Sequence, residues 1–381
     1  MTALLADVAP PPQIGLDRPT FVAPMVMACA LSVALTALLI RASKHLGLID
    51  QPSDRKVHTR PTPRSGGLAI FAAVAVTATC FSEWFFWYLG RELAWIVCSP
   101  AIVLVGLADD LMSLAWPSRL VTQSALAALA VYGSLSGSAW PVLIVAAFWV
   151  VAMTNAFNML DNMDALSAGA ALIACGAFAI GYTVLGPTRY GQLVPLPWMV
   201  LAGALLGFLC FNRPPARIFM GDSGSTFLGF VLGVSGVLLA TRESVPPWGW
   251  AASVSICAVP CYDMTSVIFL RLKQGRSPFH ADKQHLSHRL VERGLSKPKA
   301  VGVIWLMSVL SGAMGLAILE AKTAEAAALA GGALAAWWIG FALVERSWRH
   351  RRTTGTSPQQ ATCYIIPENP SPKESSHEPP T

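Results

Sequence analysis

Residues 155 to 164 close a strongly apolar segment with three Asn and two Asp, and contain no Lys or Arg. On a helix, residues three positions apart are neighbours, so Asn155, Asn158, Asp161 and Asp164 would form one polar ridge. A solvated helix end, which is the alternative, needs only one or two such residues. Mg2+ typically takes one or two carboxylates and keeps its other positions for water and substrate phosphate. The pattern therefore predicts a magnesium site.

A second carboxylate pair, Asp109 and Asp110, ends the apolar run 93–107. Adjacent carboxylates repel each other, so a cation is expected nearby. We expect Asp110 to bind the metal together with Asp161. Capping of the following helix, or simple exposure to water, is the alternative.

The segment 50–67 combines cationic side chains with prolines and ends in two glycines. Free amides at a helix N-terminus and nearby cations suit phosphate, and glycine lets backbone approach a ligand closely. An ordinary positively charged cytoplasmic loop is the alternative. The predicted ligand contacts are Arg55, Lys56, His58, Gly66 and Gly67.

Two more segments have residue types that suit anions. Gly221, Asp222 and Ser223 predict a tight turn feeding a helix N-terminus, although an ordinary N-cap would look the same. In 275–290, histidines stand near Arg and Lys without Cys, a pattern more typical of anion binding or proton shuttling than of zinc. The candidates there are Arg276, Asp282, His285, His288 and Arg289.

Asp263 differs from these residues because it lies inside an apolar run, just after Pro260. An ionisable side chain at membrane depth is costly and therefore suggests a function. Hydrogen bonding to backbone groups freed by the proline is an equally good interpretation.

The elements that carry these residues are predicted from composition. Of the 381 residues, 54% are hydrophobic and 13% charged, which indicates a membrane protein. Eleven apolar runs predict an all-α polytopic membrane protein of about 11 transmembrane helices. The predicted regions are an extracytoplasmic segment 1–20, a transmembrane domain 21–346 and a disordered cytoplasmic tail 347–381.

Charge distribution predicts the orientation. Placing the N-terminus outside puts 22 of the 27 Lys and Arg in cytoplasmic loops. The basic residues are not concentrated in a soluble domain, so nucleic-acid binding is excluded. A transporter would distribute ionisable residues through the membrane depth, whereas here all membrane-proximal acids except Glu83 and Asp263 gather at one face. A structural scaffold would leave the Asp and His motifs unexplained.

These motifs, in this order, resemble the polyprenyl-phosphate N-acetylhexosamine-1-phosphate transferases, also called glycosyltransferase family 4. The resemblance covers roughly residues 45–300. It implies a multi-pass protein of the bacterial inner membrane with a cytoplasmic, Mg2+-dependent active site, in which Mn2+ could substitute. The matching motifs are Asp54-Arg-Lys-Val-His58 with Gly66-Gly67; Asp109-Asp110; Asn155-x-x-Asn158-x-x-Asp161; Gly221-Asp-x-Gly-Ser225; and Gly275-Arg-Ser-Pro-Phe with Asp282 and His285-x-x-His288-Arg289.

The last motif is similar to the branch that transfers N-acetylglucosamine-1-phosphate from UDP-N-acetylglucosamine to undecaprenyl phosphate, giving UMP and the lipid that initiates cell-envelope polysaccharide. Phospho-N-acetylmuramoyl-pentapeptide transfer is the alternative. A homodimer is left open. The resemblance implies substrate-binding roles for the Arg, Lys, Gly and Asn candidates above. It implies catalytic roles for Asp109, Asp110, Asp161, His285 and His288.

Three positions depart from the family pattern. Asn162 and Ala165 stand where the family usually has Gly, and Ser287 stands where another His is common. The carboxylates are retained, so metal binding is still expected. The departures bear on sugar choice and on backbone flexibility near the site.

Overall fold

The computed structural model describes residues 19–51, 61–82, 89–185, 195–242, 244–279 and 284–355. Arg55, Lys56, His58 and Asp282 lie outside these residues. The described ranges contain a two-stranded antiparallel pair, β1 (Ile49–Asp50) and β2 (Thr62–Pro63). The rest of the regular structure is helical: α1 Pro19–Ala42, α2 Gly66–Cys80, α3 Leu89–Met112, α4 Trp116–Ser134, α5 Trp140–Leu160, α6 Leu166–Val184, α7 Leu196–Asn212, α8 Gly221–Ala240, α9 Gly249–Ile256, α10 Ala258–Lys273, α11 Leu286–Glu292, α12 Lys297–Glu320 and α13 Ala324–Gly355.

Seven of the described helices are long and apolar enough to cross a membrane. An eighth span results if α9 and α10, which meet at a 75° bend, are counted as one. α2 and α7 are apolar but shorter. Each of the eleven predicted apolar runs overlaps at least one helix in the described residues, so the all-α, multi-pass prediction is confirmed. The count of eleven spans is not confirmed, because only seven or eight helices have the required length and composition.

α8 is the central helix, and almost all of its residues are buried. It packs against α2, α3, α5 and α9. A Cβ atom on Gly229 would lie 2.4 Å from the carbonyl oxygen of Met153 on α5, so only glycine permits this approach. Gly203 on α7 meets the carbonyl of Met25 on α1 in the same way. Such close packing holds helices together in lipid, where hydrophobic burial between helices drives association weakly.

Residues up to Leu334 form one compact unit, and residues from Ala335 form a second. α13 extends to Gly355, so helix continues into the segment predicted to be a disordered tail. Residues 356–381 and 1–18 lie outside the described ranges.

Candidate active site

The N-terminus of α8 is capped by a carboxylate from another helix. The amides of Asp222 and Ser223 each donate to Asp110, at 3.1 Å. These are N–H groups that lack a partner within their own helix. Gly221 has a φ of +75°, and a Cβ there would lie 2.7 Å from an Asp110 oxygen. The turn therefore requires glycine. Asp110 caps α8, a helix distant in sequence, whereas the alternative considered from the sequence was a cap of the next helix.

Asp109 pairs with a cation that sequence analysis missed. Arg119 Nη1 lies 2.5 Å from Asp109 Oδ2 and 3.9 Å from Asp222 Oδ2. The amide of Leu114 donates to the other Asp109 oxygen at 2.7 Å. Arg119 is the one Lys or Arg between the apolar runs 93–107 and 120–135. This isolated charge was the signal in the sequence that could have identified it. It supplies the cation expected beside the carboxylate pair.

Asn158 joins α5 to the start of α8. Its Nδ2 donates to Asp222 Oδ1 at 2.7 Å and lies 3.0 Å from Ser225 Oγ. Asn155, one turn earlier, donates instead to Gln123 Oε1 on α4 at 2.8 Å. Asn158 therefore belongs to the carboxylate cluster, whereas Asn155 connects two helices beside it.

The predicted four-residue ridge is wrong for Asp164, because α5 ends at Leu160. Asp161 leaves the helix with φ −78° and ψ 52°. Asp164 then follows in a turn, where its Oδ2 accepts the Ala216 amide at 2.9 Å. Asp164 therefore orders the loop before α8. Asp161 stays with the cluster.

Asp161 has an unusual electrostatic environment. Loss of water around its carboxyl group raises the pKa to about 8, and the like charges of Asp222, Asp110 and Asp164 add to the increase. Among the described residues, no hydrogen-bond donor or cation pairs with this carboxylate. An acid surrounded by other acids is stabilised in its charged form by a cation.

The expectation that Gly66 and Gly67 offer free amides to a phosphate is wrong. Their amides donate to the carbonyls of Phe219 and Met220, at 2.9 and 2.8 Å. A Cβ on Gly67 would lie 2.2 Å from the amide nitrogen of Gly224, so these glycines permit close packing of α2 on α8.

Ser223, another predicted substrate contact, is fully buried at the start of α8. Gly221 likewise contacts Asp110 and the carbonyl of Arg64. Of this motif, only Asp222 presents a side chain to solvent, with 36% of that side chain exposed.

The histidine segment is the described part of 275–290, the stretch predicted to bind anions. Asp263 attaches it to α10. His285 Nδ1 lies 2.8 Å from Asp263 Oδ2, and the Leu286 amide donates to Asp263 Oδ1 at 2.6 Å. Among the described residues, Asp263 therefore does not bond to backbone groups freed by Pro260, which was one of its two interpretations. Its partners belong instead to the histidine segment. The ring of His288 lies 6.3 Å from that of His285.

Arg289 strengthens the same attachment. Its guanidinium donates to Ser266 Oγ at 2.9 Å and to the Gln284 carbonyl, and the residue is buried. It therefore anchors the segment, which differs from its predicted contact with substrate. Arg276 is exposed and forms no side-chain hydrogen bond or ion pair with the described residues.

The donor set fits a magnesium ion better than a zinc ion. Within the described residues, no three His, Cys, Asp or Glu side chains are close enough to hold one metal. A structural zinc site needs four such ligands, whereas magnesium needs only one or two carboxylates when substrate phosphates complete its shell. Asp161 and Asp222 offer that pair.

Comparison with known proteins agrees with the motif order. The profile described as "Glycosyl transferase family 4" matches residues 93–240. A probable undecaprenyl-phosphate N-acetylglucosaminyl 1-phosphate transferase of Bacillus subtilis is 32% identical over 289 residues, covering 72% of this chain and 78% of the relative. The chain belongs to glycosyl transferase family 4.

Other members of glycosyl transferase family 4 are similar over comparable lengths. A decaprenyl-phosphate N-acetylglucosaminephosphotransferase of Mycolicibacterium smegmatis is 33% identical, covering 68% of this chain and 72% of the relative. The undecaprenyl-phosphate alpha-N-acetylglucosaminyl 1-phosphate transferase of Escherichia coli K12 is 28% identical, and the match covers 72% of this chain and 78% of the relative. The region that the family profile matches, residues 93–240, includes Asp109, Asp110, Asp161 and Asp222.

Proposed function

We propose that this protein transfers N-acetylglucosamine-1-phosphate from UDP-N-acetylglucosamine to undecaprenyl phosphate, producing a lipid diphosphosugar and UMP. All three relatives described above are named for N-acetylglucosamine phosphotransfer to a polyprenyl phosphate. The supporting structural observation is that the Asp161 carboxylate, beside Asp222, has no donor or cation among the described residues. Muramoyl-pentapeptide transfer is not favoured by these names.

We assign the two protein ligands of a magnesium ion to Asp161 and Asp222. The sequence pattern predicted Asp110 beside Asp161, but both Asp110 oxygens accept amides of α8. Asp222 is partly exposed and is held by Asn158. Asp110 then positions Asp222 by fixing the start of its helix. Magnesium, with Mn2+ as a substitute, would neutralise charge on the diphosphate and the departing UMP.

The remaining residues orient anions and carry no covalent intermediate. A phosphate monoester has a second pKa near 6, so the lipid phosphate is largely dianionic at neutral pH and needs no strong base. Arg119 and Arg64, near Asp109 and Asp110, are cations that can hold phosphate oxygens. The lipid phosphate oxygen bonds to the β-phosphorus of the UDP-sugar as the bond from that phosphorus to UMP breaks. His285, held by Asp263, would contact the diphosphate.

The site lies at one end of the spans, where α3 and α5 end and α8 begins. We place this end on the cytoplasmic side of the bacterial inner membrane, because the charge asymmetry of the loops favours it and UDP-sugars are cytoplasmic. A permeation pathway is disfavoured, because the carboxylates of the site gather at this one end of the spans instead of being distributed through the membrane depth.

Radiolabelled UDP-N-acetylglucosamine, undecaprenyl phosphate and Mg2+ incubated with purified protein test this function. We expect a labelled lipid product and one UMP per product, and loss of both with EDTA. Asp161→Asn should lose nearly all transfer while its elution from a size-exclusion column matches wild type. Glu320→Gln, an exposed carboxylate change at the end of α12, is the matched control. Transfer that persists in EDTA, or in Asp161→Asn, would contradict the metal assignment. Transfer from the muramoyl-pentapeptide donor alone would contradict the substrate assignment.

A further inference from the structure

A hydrogen bond joins the turn after α5 to the histidine segment. Ser287 Oγ donates to Asn162 Oδ1 at 2.5 Å, although 125 positions separate them in the chain. Asn162 follows Asp161 directly, and Ser287 immediately precedes His288. The bond therefore connects the neighbour of a proposed metal ligand to the neighbour of His288, to which the family resemblance gives a catalytic role.

The geometry fixes the direction of this bond. Asn162 Nδ2 donates to the carbonyl of Met159 at 2.8 Å, which leaves Oδ1 as the acceptor toward Ser287. Ser287 is only 1% exposed, so its hydroxyl bonds to Asn162 without competition from bulk water. Both residues stand at positions where this chain departs from the family pattern.

The other anchors of the histidine segment lead to a different element. Asp263 and Ser266, which bind His285, Leu286 and Arg289, both lie on α10. Those bonds set the segment on α10 but do not connect it to Asp161. The Ser287 bond reaches the turn that carries Asp161.

We propose that Asn162 and Ser287 are a positioning pair, which holds the histidine segment in register with the carboxylates during transfer. This inference rests on the proposed function. Neither side chain is assigned a contact with substrate; they act through Asp161 and His288. Small misplacement of reacting groups lowers the rate of the bound complex more than it weakens binding.

Steady-state kinetics on purified variants test the pair. Ser287→Ala should lower kcat by about tenfold while KM for UDP-N-acetylglucosamine changes by less than about threefold. Ser287→Thr retains the hydroxyl and should restore most of kcat. Asn162→Ala removes the acceptor and should lower kcat to a similar extent. The double variant should be no slower than the slower single variant, because both changes break one interaction.

Ser308→Ala is the matched control, since among the described residues that buried hydroxyl bonds only to the Ile304 carbonyl of its own helix, at 3.0 Å. It should keep wild-type kcat. The rise in melting temperature on adding UMP should be retained in the Ser287 variants, which separates nucleotide binding from positioning. If Ser287→Ala does not fold, Asn162→Ala and Ser287→Thr provide the same comparison.

Two results would overturn the pairing. One is a kcat for Ser287→Ala within twofold of wild type; the other is a double variant whose loss equals the product of the single losses. A wild-type protein that makes no lipid product would instead refute the proposed function. The two failures are therefore distinguishable.

Discussion

His285 Nδ1 lies 2.8 Å from Oδ2 of Asp263, a carboxylate that is fully buried in α10. The contact holds the Nδ1 side of the imidazole against the carboxylate and leaves Nε2 at the opposite side of the ring. The same aspartate holds the amide at the start of α11. One buried side chain thus sets both the orientation of the histidine and the position of its helix.

Replacing Asp263 with Asn should lower kcat by about 100-fold, because an amide cannot replace both carboxylate contacts. Turnover and melting temperature measured on the same preparation separate this effect from unfolding. A variant that melts normally and turns over at the wild-type rate would contradict the role of Asp263.

Asp161 should make stability depend on pH when no divalent cation is present. Its pKa is raised to about 8 in the folded protein, from an ordinary value of 3.8. The folded state therefore binds this proton more tightly than the unfolded chain, so its contribution to stability is complete below about pH 4 and is lost as pH rises through 8. In EDTA, Asp161→Asn should melt above wild type at pH 8, and the difference should shrink toward pH 5. Equal melting temperatures at pH 8 would contradict the raised pKa.

Arg119 should matter for catalysis more than for folding. Its side chain is 35% exposed, so solvent screens its ion pair with Asp109; because the Asp109 carboxylate is only 6% exposed, melting temperature is measured beside turnover. Removing the cation beside Asp109 and Asp222 leaves anion repulsion uncompensated, and Arg119→Ala should lower kcat/KM by at least about tenfold. Arg119→Lys should recover part of the loss. A wild-type kcat/KM in both variants would contradict this role and would mean that the ion pair between Arg119 and Asp109 is only a solvent-screened surface contact.

Gly67 should be intolerant of a methyl group. Because a Cβ there would lie 2.2 Å from backbone of Gly224, Gly67→Ala should destabilise the protein by more than about 3 kcal/mol. Gly302 on α12 is a matched control, since nothing lies within 4 Å of its Cβ position. Gly302→Ala should be neutral or slightly stabilising in thermal unfolding. A stable Gly67→Ala with a raised KM would restore the phosphate-binding interpretation.

Replacing Ala165 with glycine should increase the stability of the protein. Ala165 has a φ of +63° at the start of α6, a left-handed conformation that costs an L-residue about 1 kcal/mol. Ala165→Gly should therefore leave activity intact and raise stability by up to about 1 kcal/mol, less the entropy that glycine gains on unfolding. Ala313→Gly, at an exposed helical position on α12, should lower stability. A loss of stability in both variants would show that Ala165 is unstrained.

Apolar runs and polar clusters were enough to predict the helices and most of the residues that meet at the site. Asn158 meets the carboxylates through Asp222 on α8, a contact between distant segments that helical spacing does not predict. Helical spacing failed at Asp164, because helical periodicity does not indicate that the backbone leaves the helix at Asp161. The residues next to a helix end give a local signal for where the helix stops. Here the turn after α5 is stabilised by a contact with the distant loop before α8, which the local sequence does not show.

Pairings between distant segments could not be predicted from one sequence. Asp110 caps α8 by accepting an amide 112 positions later, and the same pattern of residues would equally suit a metal ligand. The amides of Gly66 and Gly67 are occupied by carbonyls whose position depends on the packing of α2 against α8. Arg119 carried a signal, its isolation in a nearly uncharged stretch, but no spacing rule links it to Asp109.

The cap of α8 by Asp110 also bears on biosynthesis. A nascent chain that has inserted α3 but not α8 holds a carboxylate whose amide partners have not been made. The last anchors, His285 and Leu286, reach Asp263 only when the ribosome has passed the histidine segment. The transferase centre is therefore completed late in translation, and a chain truncated before residue 285 would insert its carboxylates into the bilayer without gaining activity.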